Sequence, residues 1–190
     1  MTRGRRYAPA LVTWALVVSI VGGCASLGSE SPDSLMPDSL MKDGQQLYAD
    51  KKYDEAIAKF ERVIELDKTR WLAYLYLARC YMAKGTWTKA LSNARLAYEA
   101  APGGEDVLPT FTKALWGGGI EAFNNGQFRD AISALTEYLR LQPADASGYL
   151  ALGKAYLQSG DRSDALGALL KALELNPSMS EVQELLRSLR

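Results

Sequence analysis

The stretch Tyr53-Asp54-Glu55-Ala56-Ile57 (YDEAI) decides the fold of this 190-residue chain, because the same pattern returns three more times. An alanine follows two polar or charged residues and precedes an aliphatic one, with an aromatic residue or an arginine at the start. The alanines are Ala56, Ala90, Ala131 and Ala165, with spacings of 34, 41 and 34 residues. A recurrence at a fixed period is typical of a stacked repeat protein.

Other positions keep the same register. A small residue lies 12 positions before each alanine, and a proline lies 12 positions after each of the last three, where the first unit has Lys68. The small residues are Gly44, Ala78, Gly119 and Gly153; the prolines are Pro102, Pro143 and Pro177. Apolar residues between these positions follow a helical period, and polar or glycine-containing turns divide each unit in two. The pattern therefore predicts paired antiparallel helices that approach closely at the small residues.

This register resembles the tetratricopeptide repeat, a helix–turn–helix unit of 34 residues. The resemblance implies an all-α fold of helical hairpins stacked as a right-handed α-solenoid. We predict four repeats, an insertion and a C-terminal capping helix, with Ser178 and Glu181 as a capping box. The boundaries are residues 37–70, 71–104, 112–145 and 146–179 for the repeats, 105–111 for the insertion, and 180–190 for the cap.

The glycine run Gly117-Gly118-Gly119 falls inside the first helix of the third repeat. Only Gly119 is required by the repeat, and each further glycine costs roughly 1 kcal/mol relative to alanine. Two interpretations stay open. The helix is locally frayed, or Gly117 faces the concave surface and lets a ligand backbone approach closely.

In this family the first helices line a concave groove for a peptide or protein segment. The resemblance assigns ten residues to it: Tyr48, Tyr76, Arg79, Met82, Trp116, Gly117, Ile120, Phe123, Lys154 and Leu157. Aromatic and methionine side chains with a few cations suit an apolar peptide, although some of these residues are expected to pack between repeats. The lysine and asparagine clamp of the chaperone-binding repeats is replaced by Met41, Gln45 and Tyr76, so that ligand is not expected.

The N-terminus resembles a bacterial lipoprotein signal peptide. Three arginines precede an apolar run from Ala10 to Val21, which is too short for the roughly 20 residues of a membrane span. Val21-Gly22-Gly23-Cys24 then matches the lipobox. The resemblance implies cleavage after residue 23, a diacylglycerol on the Cys24 thiol and acylation of the new amino group, which together give stable anchoring. The alternative is an uncleaved single-span membrane protein.

Residue Ala25, rather than an aspartate, follows the cysteine. By the sorting rule of this family, that predicts the outer membrane of a two-membrane bacterium, with the protein facing the periplasm. In a single-membrane organism the same signal predicts the outer face of the cytoplasmic membrane. Residues 24–36 read as the lipidated cysteine and a flexible tether.

Composition narrows the function. There are 22 basic and 22 acidic residues, no histidine and two cysteines. Scattered basic residues do not favour nucleic-acid binding, and the residue types offer no convergent catalytic or metal site. We therefore predict no enzyme activity, no cofactor beyond the lipid and no small-molecule substrate. Cys80 aligns with a small packed position and is predicted to be a buried thiol.

These observations favour an envelope adaptor that binds a protein or peptide. Lipoproteins of similar build include pilotins of pilus secretins and a component of outer-membrane-protein assembly. A scaffold for peptidoglycan-modifying enzymes is the alternative.

Overall fold

A computed structural model of the chain describes residues 36–189, which contain nine α-helices and no strand. The predicted signal peptide (1–23), Cys24 and all of the predicted tether except Met36 lie outside these residues. The helices are α1 (Pro37–Ala49), α2 (Tyr53–Leu66), α3 (Trp71–Ala83), α4 (Trp87–Ala100), α5 (Val107–Asn124), α6 (Phe128–Leu141), α7 (Ala146–Ser159), α8 (Arg162–Leu175) and α9 (Ser180–Ser188).

Each helix packs against the next one along the chain, and the odd-numbered helices α1, α3, α5 and α7 also touch one another. This arrangement is a helical solenoid, as the repeat pattern predicts, and the predicted fold class is confirmed. Because every hairpin contacts only its neighbours, its apolar faces are covered by the hairpins beside it.

The small residues of the register lie under bulky side chains of the paired helix. A Cβ added to Gly44 would meet Phe60 at 2.6 Å, one on Gly119 would meet Leu135 at 2.9 Å, and one on Gly153 would meet Leu169 at 2.8 Å. The three bulky side chains, Phe60, Leu135 and Leu169, are fully buried. Glycine is therefore required at these positions by close helix packing, and the bulky partner follows it by 16 residues in each case.

The second unit departs from this rule, because Ala94 stands where the other units have Phe or Leu. Phe111 supplies the missing volume: it is 1% exposed and lies in one core cluster with Ala78 and Ala94. Its ring stacks on Tyr98 at 4.8 Å between centroids. Phe111 belongs to the insertion, which lengthens α5 to 18 residues. The insertion therefore fills the core of the second repeat.

The glycine run does not fray the helix, because α5 continues through it to Asn124. Gly117, Gly118 and Gly119 are all buried. Their lack of side chains is explained by packing against α4 and α6.

The last helix, α9, covers the end of the stack. Val182 is fully buried against Leu169 and Ala172 of α8, with Leu185 and Leu186 at the margin. The predicted capping box is wrong: the Ser178 hydroxyl donates to Asn176 Oδ1 at 2.7 Å, and Glu181 pairs with Lys154. Ser178 is thus used in the turn that precedes α9.

The turns inside the hairpins share one geometry. Gly85, Gly126 and Gly160 have φ values of 73°, 75° and 91°, and the first hairpin has Lys51 at φ 61° in the same place. In this left-handed region a Cβ costs energy that glycine avoids. Lys51 is therefore the least favourable of the four turn residues.

Replacing Lys51 by glycine is expected to stabilise the protein by about 0.5–1 kcal/mol, because the strain of a side chain at positive φ is removed. Gly85→Ala is the matched reverse change, since no atom lies within 4 Å of its added Cβ, and it should destabilise by a similar amount. Urea denaturation followed by circular dichroism measures both. Equal stability of the Lys51→Gly variant and the wild type would contradict the assignment of strain.

Candidate functional site

A stripe of residues along α5 forms the centre of the concave surface. Its members recur every three or four positions and so share one face of the helix: Pro109, Lys113, Trp116, Ile120 and Asn124. We call this set the α5 stripe. Side chains from α3 flank it on one side and side chains from α7 on the other, and two clefts result. We call the α5 stripe and these two clefts together the groove.

The first cleft lies between α3 and the beginning of α5 and has a volume of about 570 Å³. Arg79 and Met82 of α3 face Pro109, Thr110 and Lys113 of α5 across it. The remaining lining residues are Tyr48, Ala83, Trp87 and Asp106. We call it the Arg79 cleft; its walls combine two cations, one carboxylate and several apolar groups.

The second cleft lies between α5 and α7 and has a volume of about 320 Å³. Trp116, Ile120 and Phe123 form its apolar wall on α5. The lining on the other side is Ser147, Leu150, Ala151 and Lys154 of α7, with Asn124 at the rim. This Trp116 cleft is apolar in its centre and polar at its edge, which is the pattern of a pocket for a large apolar side chain.

Two further depressions, with volumes of about 450 and 420 Å³, connect these clefts, and Trp116 lines both of them. One lies beside Leu108 and Tyr138, whose hydroxyl donates to Asp145 Oδ2 at 2.7 Å; burial and this carboxylate raise the pKa of Tyr138 to about 12. The other contains Trp87, Gly117 and Glu121. Trp116 is therefore shared by the Trp116 cleft and both depressions.

The Arg79 cleft contains a visible ion pair. Arg79 Nη2 donates to Asp106 Oδ2 at 2.8 Å, and the guanidinium lies 5.4 Å from the centre of the Tyr76 ring. At the opposite end of the groove, Lys154 pairs with Glu181 of α9. Lys113 forms no ion pair with any residue between 36 and 189. The groove thus holds cations at both ends and in the middle.

Glu121 is not available to a ligand, because it caps a neighbouring helix. Its carboxylate accepts from the backbone N–H groups of Trp87 and Thr88, at 3.2 and 2.5 Å, at the start of α4. The Thr88 hydroxyl also donates to it. Burial raises the pKa of Glu121, but the hydrogen bonds from Thr88 and Trp87 together lower it below the ordinary 4.5. The third hairpin in this way fixes the second.

Glu121→Gln is expected to destabilise the protein by about 1 kcal/mol, the usual effect of losing a helix cap. The folded pKa is lowered, so the stabilisation is present above about pH 4.5 and is lost as the pH falls through the folded pKa. Urea denaturation of both proteins at several pH values should show a constant difference above pH 5 that shrinks in acid. Glu184→Gln, at an exposed position, is the control. A difference that grows in acid would contradict this role.

Most residues predicted for the groove line these clefts. Tyr48, Arg79 and Met82 line the Arg79 cleft; Trp116, Ile120, Phe123 and Lys154 line the Trp116 cleft. The other predicted residues have partners within the chain. Tyr76 stacks on Phe60 at 5.2 Å between centroids, and Leu157 packs with the cluster that holds α9.

The interpretation of Gly117 as a place for a ligand backbone is wrong. A Cβ at this position would lie 2.0 Å from Cε3 of Trp87, so the indole of the chain itself fills the space. Gly117 lines a depression only beside this ring. Its function in the structure is to accommodate Trp87.

Sequence reasoning missed Asp106, Pro109 and Lys113, which line the Arg79 cleft. Asp106 and Pro109 lie in the insertion, where no counterpart in another repeat indicates their orientation, whereas Lys113 is the second residue of the third repeat. The helical spacing of Pro109, Lys113 and Trp116 is the signal that could have found two of them.

Cys80 is fully buried in the core beside Phe60 and Leu77. Burial raises the pKa of its thiol to about 12, although Lys84 acts in the opposite direction. A thiol of this kind stays protonated and unreactive at neutral pH. Cys80 is therefore a packing residue, as predicted.

Residues 36–189 contain no cluster of three or more histidine, cysteine or acidic side chains placed to hold a metal ion. Within the same range, no helix combines the length and the apolar character needed to cross a bilayer.

Comparison with protein families finds the tetratricopeptide repeat twice, over residues 47–104 and 117–180. Among curated proteins, "Cellulose synthase operon protein C" of Escherichia coli (strain K12) is 42% identical over 62 residues, which are 33% of this chain and 5% of that protein. "Anaphase-promoting complex subunit 3" of Dictyostelium discoideum is 40% identical over 58 residues, or 30% and 6% of the two chains. The matched segments span only about 5% of these relatives.

Solved structures share the fold. A crystal structure of MamA protein covers 83% of this chain and 81% of its own, with 19% identity and a TM-score of 0.55. "MamA 41-end from Desulfovibrio magneticus RS-1" covers 80% and 82%, with 18% identity and a TM-score of 0.54. At this identity the likeness extends to the arrangement of helices.

Proposed function

This chain is a tetratricopeptide-repeat protein, and we propose that it is a lipid-anchored adaptor of the bacterial cell envelope that holds a protein or peptide segment in its concave groove. Proteins built from this repeat are typically non-enzymatic interaction scaffolds. The observation that carries the proposal is the α5 stripe with its two clefts. A bulky aromatic side chain at the centre of a concave surface is typical of a binding hot spot.

Trp116 has the properties of such an anchor. It is half-buried, its ring lies 5.3 Å from that of Tyr138, and it lines the Trp116 cleft and both depressions. The ring is thus held in place while part of the side chain stays exposed. A bound segment that covers the exposed part gains apolar burial without ordering the indole first.

The anchor is the second part of the proposal. A lipidated Cys24 places the repeats at the end of a short tether, on the periplasmic side of the outer membrane. There the adaptor serves the assembly of an envelope complex such as a secretin or an outer-membrane-protein machine. A scaffold for peptidoglycan-modifying enzymes is the alternative, and the identity of the partner distinguishes the two.

A photo-crosslinking amino acid at Trp116 tests the groove in intact membranes. Leu166 of α8, which is 42% exposed and lies outside both clefts, is the matched control site. We expect one envelope component to be recovered from position 116 and not from 166. A secretin or barrel protein supports complex assembly, and a cell-wall hydrolase supports the alternative. Identical crosslinked products from both sites would contradict the binding of a partner in the groove.

Metabolic labelling with a fatty acid tests the anchor. The wild type should be labelled and found in the membrane fraction, and Cys24→Ser should lose the label. A labelled, membrane-bound Cys24→Ser protein would exclude lipidation at this residue. An unlabelled wild type that stays in the membrane and keeps residues 1–23 would favour the single-span alternative.

A further inference from the structure

Asp106 is placed unusually for an aspartate at the start of a helix. It is the N-cap residue of α5, where its carboxylate would normally accept from the helix N–H groups, yet it makes no such bond. Its backbone is in the left-handed region, with φ 59°. The carboxylate instead reaches Arg79 of α3, 27 residues earlier.

The Arg79–Asp106 pair is built in a way that allows exchange. It uses one hydrogen bond between Nη2 and Oδ2, whereas a guanidinium can hold a carboxylate with two parallel bonds. The Asp106 side chain is 61% exposed, and that of Arg79 is 21% exposed. Contact with the Tyr76 ring orients the guanidinium independently of Asp106. Arg79 is thus a prepared carboxylate site occupied by a weakly held, solvated partner.

Charge in the Arg79 cleft also favours an acidic ligand. Lys113 faces the same cleft and has no ion-pair partner within residues 36–189, and Asp106 is the acidic residue among the lining side chains. Glu121, the acidic residue of the neighbouring depression, is engaged by the start of α4. An incoming carboxylate therefore meets two cations and displaces one carboxylate.

The distance along α5 sets the spacing in the ligand. Lys113 precedes Trp116 by three residues and Ile120 by seven, which correspond to about 5–11 Å along the helix axis. An extended peptide advances about 3.3 Å per residue. An acidic residue at the Arg79 cleft is thus two or three residues from an apolar residue in the Trp116 cleft, whose volume of about 320 Å³ suits one large side chain.

We propose that the groove recognises an extended segment with an acidic residue two or three positions from a large apolar one. The carboxylate binds Arg79 and Lys113, the apolar side chain enters the Trp116 cleft, and Asp106 is an intramolecular competitor for Arg79. This proposal rests on the proposed function of the groove and names the chemistry of its partner.

An array of short peptides tests it, with the full chain in detergent as the soluble probe. Each peptide carries Glu or Gln at one to five positions from Leu, Phe or Trp in a Gly-Ser background. We expect retention of peptides with Glu two or three positions from the apolar residue, at least fivefold above their Gln counterparts. Retention that depends on Trp116 but is equal for Glu and Gln would overturn this proposal and leave the adaptor function standing.

Asp106→Asn gives the sharpest test, because asparagine tolerates the left-handed backbone and removes the competing charge. Affinity for the Glu peptides, measured by fluorescence polarisation, should rise about three- to fivefold, the range of one exposed ion pair. Affinity for Gln peptides should stay within twofold. Asp54→Asn, which removes the exposed pair with Lys84 outside the clefts, is the control and should change neither.

Arg79→Gln should lower the affinity for the Glu peptides at least fivefold and leave the affinity for the Gln peptides unchanged. If Asp106→Asn binds the Glu peptides with unchanged or lower affinity, then Asp106 does not compete with the ligand for Arg79. If Trp116→Ala retains every peptide as well as the wild type does, then the groove is not the binding site, and the proposed function is contradicted too.

Discussion

Phe60→Ala should lower the free energy of unfolding by about 3–5 kcal/mol, which is the usual cost of truncating a fully buried phenylalanine. Phe60 is 0% exposed. Its ring covers Gly44 of α1 and stacks on Tyr76 of α3. One side chain therefore joins three helices, and its loss leaves a cavity that the rigid helices cannot close.

The effect should also be local, because a stack of repeats is held together by nearest-neighbour interfaces. The first hairpin has a neighbour on one side only among the described residues, so α1 and α2 are expected to unfold before the rest. Native-state hydrogen exchange should show lost protection in 37–66 and near-normal protection in α6 to α8. The urea-denaturation transition should become broader, because the first hairpin unfolds at a lower urea concentration than the rest.

A second substitution separates the cavity from a general loss of structure. Gly44→Ala alone should destabilise the wild type, since its Cβ would lie 2.6 Å from the Phe60 ring. In the Phe60→Ala background the same change should stabilise, because the space is open and alanine favours the helix by about 1 kcal/mol. Leu170→Ala, at a residue 52% exposed, is the control. Additive effects of the two substitutions would contradict the contact.

Close helix packing at Gly44 was predictable from the sequence for a physical reason. Close approach of two helices demands a small residue facing a large one, and the repeats show that constraint three times, at Gly44, Gly119 and Gly153. The second unit is the exception. Ala94 breaks the pattern, and its compensation by Phe111 comes from the next hairpin, which no property of the second repeat reveals.

The groove was predictable where it follows the register and not elsewhere. Trp116 and Ile120 occupy repeat positions, so their exposure to the concave surface could be carried over from the family. The position of Asp106 depends on the insertion, whose path is set by the burial of Val107 and Phe111. The direction of the Trp87 indole, which decides the meaning of Gly117, depends on a contact across 30 residues of sequence.

Gly117→Ala tests that contact and is expected to lower the free energy of unfolding by about 2–3 kcal/mol. Alanine normally favours a helix interior by about 1 kcal/mol over glycine. Here the added Cβ would lie 2.0 Å from Cε3 and 2.3 Å from Cδ2 of Trp87, which are atoms in the body of the ring. The indole must leave its place, and such overpacking costs more than the helix gains. Thermal and urea denaturation measure the net loss.

Gly167→Ala supplies the opposite expectation in the same protein, because no atom lies within 4 Å of its added Cβ in α8. It should stabilise by about 0.5–1 kcal/mol. Trp87→Ala should make Gly117→Ala harmless, since the obstructing ring is gone. If Gly117→Ala stabilises as Gly167→Ala does, then the indole does not rest on Gly117.

The binding consequence follows from the position of Trp87, which lines both the Arg79 cleft and the depression beside Trp116. A displaced indole changes the surface between the two, so Gly117→Ala should weaken groove ligands even where the protein stays folded. Gly167→Ala, on α8 and outside both clefts, should leave binding unchanged. Gly117 then affects binding by setting the position of Trp87. A Gly117→Ala protein that is destabilised but binds groove ligands normally would show that this contact matters for stability and not for binding.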